Sequence, residues 1–520
     1  MNPGHTPLAR LTRRWLHQSF APSASRRQFL RTAGLATAGG LLIRPAAGQD
    51  EAAPPAPAPT RKPDGPVAII GGGMAGLTAA LRLQQAGVEC EIFEGSERFG
   101  GRMMTRKNFN DDGMFCELGG ELVDSNHTDL IELAKELGLE IQSLREGEKG
   151  VDFYHFNGKT YTDTDLIPLF APLAERIAKD AEALYTEEED YTERAKQLDK
   201  VSLSEYLERQ GAGIEKWILQ MLTAAYTIEY GLDTDKQSSL NLVDFIATDT
   251  SAGFKVFGDS DEAWRVKGGN EGLPQATLGA LTGKVPVHVG HRWVAVAKEG
   301  EGLKCSFAAR SGIVSRTFGH VVCAIPFTLL REVRGWPELG LSDDKQRSIR
   351  EMGYGSNLKI MYGFKSRPWR APRPDGIINN GNLYADLAFQ TVWETSRGQS
   401  GDSGILTNFM GGTKGSQYDP SRLDAFLSEL DRVFTGLKLQ HDSKRVMMNW
   451  PSMRWVKASY SAPLVGQYTW VLAAAATPEL DGRLVFAGEH TSENSAGYMN
   501  GAVESGNRAA RELLGQAKPA

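Results

Sequence analysis

Val67-Ala68-Ile69-Ile70-Gly71-Gly72-Gly73-Met74-Ala75-Gly76, followed by Leu77 to Gln85 and then by Val88-Glu89-Cys90-Glu91-Ile92-Phe93-Glu94, reads as strand, tight turn, helix and second strand. A short apolar run ends in glycines, and Leu77, Ala80, Leu81 and Leu83 then recur at helical spacing. In such a unit Gly71 permits the turn, Gly73 lets the backbone approach a ligand, and Gly76 lets the helix pack close on the strand. A pyrophosphate would then meet the positive end of the helix that opens at Met74 and Ala75. Glu94 closes the second strand 18 residues after Gly76, where a carboxylate grips a ribose hydroxyl. A tight turn beside a surface glutamate would leave similar letters. Strand, helix and acid together predict a Rossmann-like, α/β dinucleotide-binding unit.

A second glycine-rich passage, Phe486-Ala487-Gly488-Glu489-His490-Thr491 leading into Gly497-Tyr498-Met499-Asn500-Gly501, lies about 400 residues further on. Both passages make sense together only if the chain returns to the same ligand.

The chain has 520 residues, enough for two to four domains or one interleaved pair. At the N-terminus, Ser25-Arg26-Arg27-Gln28-Phe29-Leu30-Arg31 precedes a small, apolar run from Thr32 to Ile43 and then Pro45-Ala46-Ala47-Gly48. That order matches a twin-arginine signal peptide over residues 1–48, and a disordered basic tail is the plainer alternative. The apolar run is well short of the ~20 residues of a membrane span, so removal is expected, not a stable anchor. Export by the twin-arginine translocase carries proteins already folded, which suits a cofactor acquired before export and places the mature protein in the periplasm or outside the cell. Cys90, Cys116, Cys305 and Cys323 have no metal-site or disulfide-framework spacing and read as buried free thiols, so no metal is expected. Seven of the 58 Lys and Arg but none of the 64 Asp and Glu fall in residues 1–48. The remainder is therefore acidic, which disfavours nucleic acid and tolerates cationic substrates.

Residues 49–65 form a proline-rich linker, so the folded body starts near Val67. Asp129 to Leu139 predicts an amphipathic helix closed by Gly138, residues 171–200 predict charge-rich helix, and Ser202-Leu203-Ser204-Glu205 has the spacing of a helix-opening cap. Strand patterning returns at Val285 to Val289, Trp293 to Val296 and Val321 to Ile325.

Glu94 to Arg98 with Phe99-Gly100-Gly101-Arg102, then Glu117-Leu118-Gly119-Gly120, Val266-Lys267-Gly268-Gly269-Asn270, Cys323-Ala324-Ile325-Pro326 and the segment Phe486 to Ala510 resemble the flavin-containing amine oxidase family in the family's order. The resemblance covers most of residues 66–515. It implies FAD held in an interleaved pair of domains. The FAD-binding domain would draw on 66–141, 255–348 and 449–517, and an α+β substrate-binding domain on 142–254 and 349–448.

The resemblance also implies roles. Gly101, Gly119, Gly120 and Glu121 would belong to the segment wrapping the cofactor, Arg102 would pair with its phosphates, Gly488 and Glu489 would approach its ribityl or phosphate region, and Tyr498 and Met499 would lie against its ring. A carboxylate at a helix start would account for Glu489 equally well. Lys359, within Met352-Gly353-Tyr354-Gly355-Ser356-Asn357-Leu358-Lys359-Ile360, matches the lysine presented to flavin N5 through a water, although on an edge strand it would simply face solvent. Tyr460, after Trp450 and Trp455, and Tyr498 would be the two walls of an aromatic cage, or else ordinary core.

Three departures sharpen this. Ser459 stands where animal monoamine oxidases carry the flavin-bonded cysteine, so FAD is expected to be non-covalent. Leu122 stands where amino-acid oxidases place an arginine for the substrate carboxylate. Asp124, with Glu121 close by, stands where some polyamine oxidases have an acid in the substrate site, and a solvated loop pair is the alternative. The expected reaction is oxidation of a small primary or secondary amine to an imine, then aldehyde and ammonia, with O2 reduced to hydrogen peroxide. An L-amino-acid oxidase using another cation such as Arg454, an amine dehydrogenase with a different acceptor, a polyene desaturase and a non-catalytic flavin sensor are the competing readings. A homodimer stays open.

Overall fold

The computed structural model describes residues 63–188 and 190–516, so the signal peptide and most of the linker expected from sequence lie outside the described residues. Val67–Ile70 is the centre of a five-stranded parallel sheet. In order across it stand Leu484–Phe486, His320–Cys323, Val67–Ile70, Cys90–Phe93 and Val287–His288. Strands more than 400 residues apart in the chain therefore belong to one sheet. All-parallel pairing requires both faces to be covered. Helices Met74–Gln85 and Met499–Leu513 pack together on one face with Leu77, Leu81, Leu83, Val503 and Ala509 in a common core, and a three-stranded antiparallel sheet and Trp336 close the other through Phe93, Phe307 and Phe318.

A second, seven-stranded mixed sheet is built from 151–156, 159–161, 358–364, 379–385, 391–394, 404–410 and 441–449. Leu358–Phe364 lies between two antiparallel neighbours and is buried along its whole length. Both its faces are covered, one by the first domain's loop at 114–119 and the other by a helix carrying Phe426, Leu427 and Leu430.

The helical region differs from the sequence expectation. In place of helix over 171–200, one helix spans Asp163–Glu182, opened by a reciprocal Thr162/Asp165 cap, and a second spans Glu193–Asp199. The first tolerates Pro168 and Pro172 because Leu166, Phe170, Leu173, Ala174 and Ile177 bury a continuous apolar face against the helix Lys216–Tyr230 and its neighbours. Prolines cost a helix its hydrogen bonds, and tertiary burial outweighs that here. The interruption between the two helices is pinned by an antiparallel bridge between Tyr185 and Tyr191. Ser202 caps the next helix as expected, its hydroxyl accepting the Glu205 N–H. Among the described residues no helix is long and apolar enough to cross a membrane.

Candidate active site

One cavity of 1560 Å³ runs from the first glycine turn to the interface with the second sheet. At one end the wall is almost all backbone. Gly71 has φ +112°, and a Cβ there would come within 2.7 Å of the Ala324 carbonyl oxygen. Gly76 does not touch the cavity; a Cβ on it would strike the Gly71 oxygen at 2.0 Å, so it serves the close helix-to-strand contact. Gly73 differs from both. A Cβ there would meet no protein atom nearer than Gly101 Cα at 3.9 Å and would project into the space in front of the helix N-terminus formed by Met74 and Ala75. That is a cradle for an anionic diphosphate. Glu94 lines the same end, its two oxygens oriented by the Gly72 and Ser96 N–H groups, both at 2.7 Å.

Arg102 and Glu489 also line the cavity, yet they hold each other: Arg102 Nη1 donates to Glu489 Oε1 at 2.8 Å and to the Ser459 carbonyl at 2.7 Å. Glu489 further accepts the Ser461 hydroxyl at 2.6 Å and the Gly497 N–H at 2.8 Å. Burial by itself would raise this carboxyl, and the Arg102 charge and hydrogen bonds bring it below its ordinary value. Protein donors thus make Glu489 a tie between three distant segments at the cavity wall. Gly488 has φ +132°, and Met499 packs so tightly on Gly120 that a Cβ there would fall 2.6 Å from its Cγ.

At the other end the wall consists of side chains. Lys359 is 4% exposed on its interior strand, excluding the outward-facing alternative. Its ammonium donates to the Gly119 carbonyl at 3.0 Å and to Glu121 Oε2 at 2.6 Å, while Glu121 Oε1 accepts the Thr395 hydroxyl at 2.8 Å. A buried cation paired with a buried carboxylate and further hydrogen bonds is the arrangement that makes such burial tolerable. The loop bearing Gly119 to Glu121 is clamped by Asn270, whose side chain donates to the Gly120 and Glu121 carbonyls and whose N–H is accepted by buried Glu117. Burial pushes Glu117 up to about 7 despite those donors. The Lys267 to Asn270 motif therefore acts by holding the partner of Lys359.

Tyr460 and Tyr498 both line the cavity, and their hydroxyls converge on one residue. Tyr498 donates to Glu229 Oε1 at 2.9 Å, and Tyr460 donates to the Glu229 main-chain carbonyl. Gly497 packs beside the Tyr460 ring with φ +87°, a conformation that favours glycine. Glu229 is enclosed by protein but open to the cavity, and burial drives its carboxyl up to about 7, with the Tyr498 hydrogen bond opposing and Asp124 reinforcing the rise. Both tyrosines are held well above 10 by burial and by the Glu229 charge.

Leu122 contributes an apolar patch to the wall. Asp124 is a correction: it is 3% exposed, lies behind the wall, and accepts the Glu262 N–H at 2.8 Å instead of facing a substrate. The acids that do reach this part of the cavity are Glu229 and Glu262, together with the paired Glu121. Sequence reasoning missed both. Glu229 had one available signal, an acid in the last turn of a helix closed by Gly231, where the macrodipole disfavours negative charge. Glu262 had none. Arg454, the cation considered for a carboxylate, is also elsewhere: its guanidinium stacks over Trp455, whose ring packs on Gly95 at the nucleotide end.

The sequence profile of the flavin containing amine oxidoreductase family matches residues 74–514. The chain belongs to that family. Family membership makes it a flavin-dependent oxidoreductase, and the glycine cradle, the helix N-terminus and Glu94 fit the dinucleotide part of such a cofactor. The chain is 26% identical over 494 residues to a flavin-dependent L-tryptophan oxidase of Lentzea aerocolonigenes, covering 86% of this chain and 97% of that one. It is 26% identical over 486 residues to flavin-containing amine oxidase A of Sus scrofa, covering 86% and 84%. Among solved structures, putrescine oxidase bound to putrescine aligns with a TM-score of 0.73 at 22% identity over 88% of this chain and all of that one. Cyclohexylamine oxidase of Brevibacterium oxydans aligns at 0.74 and 21% identity over 87% and 99%. The fold is thus the amine oxidase fold.

Proposed function

We propose that this family member oxidises a carboxylate-free primary or secondary amine, using non-covalently held FAD and dioxygen, after twin-arginine export to the periplasm. The observation that carries the substrate assignment is the convergence of Tyr460 and Tyr498 on Glu229 in a cavity end where carboxylates, and no unengaged guanidinium among the described residues, face the guest. A substrate carboxylate brought beside Glu229 and Glu262 would be repelled, whereas an amine is attracted both by the acids and by aromatic faces.

FAD held by the glycine cradle, the helix start at Met74 and Glu94 would supply the two-electron oxidising chemistry, with dioxygen as the terminal acceptor and hydrogen peroxide as its product, and the amine would leave as an imine that hydrolyses. The chain's own residues bind and orient. Tyr460 and Tyr498, fixed through Glu229, confine the nitrogen, and Leu122, Trp393 and Phe409 exclude water beside it. Glu229, titrating near neutrality, is suited to take the proton that an alkylammonium must lose before oxidation. Lys359, charge-paired with Glu121, can orient a water towards the reacting face. Non-covalent attachment is supported by Ser459, whose hydroxyl donates to Asn357, and by all four cysteines lying outside the cavity wall.

Similarity to the tryptophan oxidase favours a second reading, oxidation of an L-amino acid. Anaerobic bleaching of the purified yellow protein by putrescine, benzylamine and L-phenylalanine decides between them. Bleaching by either amine and not by the amino acid is expected; rapid bleaching by phenylalanine alone would overturn the assignment.

A further inference from the structure

Glu262 has a backbone that ordinary side chains avoid and a carboxylate that the protein leaves for something else. Its φ is +48°, in the left-handed region that carries a strain cost for a non-glycine residue. The strain is held from behind: the buried Asp124 carboxylate accepts the Glu262 N–H, and the Asp124 N–H is in turn donated to Nδ1 of buried His127 at 3.0 Å. The conformation delivers the side chain to the cavity wall. There, among the described residues, no hydrogen-bond donor reaches its carboxylate.

The surrounding charges do not neutralise it. Asp124 and Glu229 repel it. The attracting guanidiniums are engaged elsewhere, Arg145 with the Asp261 carbonyl and Arg397 with Asn382 and Glu148. Glu229 is committed to the cage through Tyr498. One acid thus belongs to the tyrosine pair, and the other waits beside it without a counter-ion. An enclosed, unpartnered carboxylate on strained backbone is a receptor for a cationic donor group.

We propose that Glu262 binds the second ammonium of an α,ω-diamine whose reacting nitrogen lies between Tyr460 and Tyr498. This rests on the amine-oxidase reading above and names its substrate class. Glu262 is a specificity residue on this view, touching the non-reacting end of the substrate, and Asp124 and His127 are positioning residues that act through it.

The test uses the holoenzyme and two pairs of equal length, putrescine against butylamine and cadaverine against pentylamine. Wild type should favour each diamine over its monoamine by at least tenfold in kcat/KM, chiefly through KM. Glu262→Gln should reduce that ratio by at least tenfold. Glu262→Asp, with its carboxylate withdrawn by one methylene, should restore part of it and move the optimum to a longer diamine. Equal efficiency with diamine and monoamine in wild type, a measurement that needs no variant, overturns the second-ammonium site and leaves the amine-oxidase reading standing. A wild-type preference that survives in Glu262→Gln overturns the assignment to this residue. Absence of flavin reduction by any of the four amines overturns both.

Discussion

The two ends of the cavity are made by different means. The nucleotide end is laid down chiefly by one continuous stretch, 67–102, in which glycines shape the backbone and the ligand would meet N–H groups, with Ala324, Trp455 and Glu489 closing it from remote segments. The amine end gathers Lys359, Glu121, Glu229, Glu262, Tyr460 and Tyr498 from well-separated segments, most of them placed by a side-chain bond to another. The first tolerates almost no added atom at Gly71 or Gly76 and leaves open space only at Gly73. The second tolerates almost no lost partner.

Gly76→Val should give the largest effect: its added carbons run into the Gly71 carbonyl, and no folded flavoprotein should be recovered, a loss of more than about 4 kcal/mol. Thermal unfolding with flavin release on a gel-filtered sample would show it; a stable yellow variant would break the picture of a steric limit. Lys359→Met comes next, because it strands Glu121 as an unpaired buried carboxylate at a cost of about 3–5 kcal/mol. Lys359→Met with Glu121→Gln should regain most of that stability but not the rates of flavin reduction and reoxidation by stopped flow. Full rate recovery in the double variant would reduce Lys359 to a structural charge.

Gly73→Ala separates the two ends in another way. Its Cβ meets only empty cavity, so the apoprotein should melt near the wild-type temperature while FAD affinity, by equilibrium dialysis, falls about 100-fold, or about 2.7 kcal/mol. Glu229→Gln is expected to be milder. It keeps an acceptor for Tyr498 but loses the charge, and kcat/KM for an amine should fall about tenfold, about 1.4 kcal/mol. The smallest effect is the pH profile. Burial raises Glu229 to about 7 and Glu262 to about 8, so both are largely protonated at pH 6, and they ionise in turn as the pH rises through 7 and 8. Amine binding should therefore strengthen as pH rises through this window. Asp124, Arg145, Arg397, Tyr384 and Tyr498 face these acids, and none of them supplies a base that would reverse the sign.

The legibility of the chain follows the same division. The Val67 to Glu94 unit and the Ser202 cap were readable because a turn, a cap and a helical period are set by neighbouring residues. The helix over 163–182 was misplaced because charge-rich sequence over 171–200 reads as one helical stretch, whereas the helix start is set by the Thr162/Asp165 cap and its apolar face is satisfied only by distant helices. Lys359 and the tyrosine pair were found through resemblance, and composition alone would have left them among ordinary core residues. Asp124 is legible as an acid of the Gly119 to Asp124 segment, but its role is not: only the fold shows that it supports Glu262 from behind.

By itself, then, the sequence determined the nucleotide cradle, because glycine conformations and helix starts are local properties of the backbone. It also determined the types of residue available for chemistry. Which carboxylates would face the cavity, and which would be spent on Arg102, Lys359 or a strained turn, was decided only by tertiary structure. The reason is physical: a carboxylate's partners and charge state depend on burial and on donors brought from remote segments, and neither exists until the chain has folded.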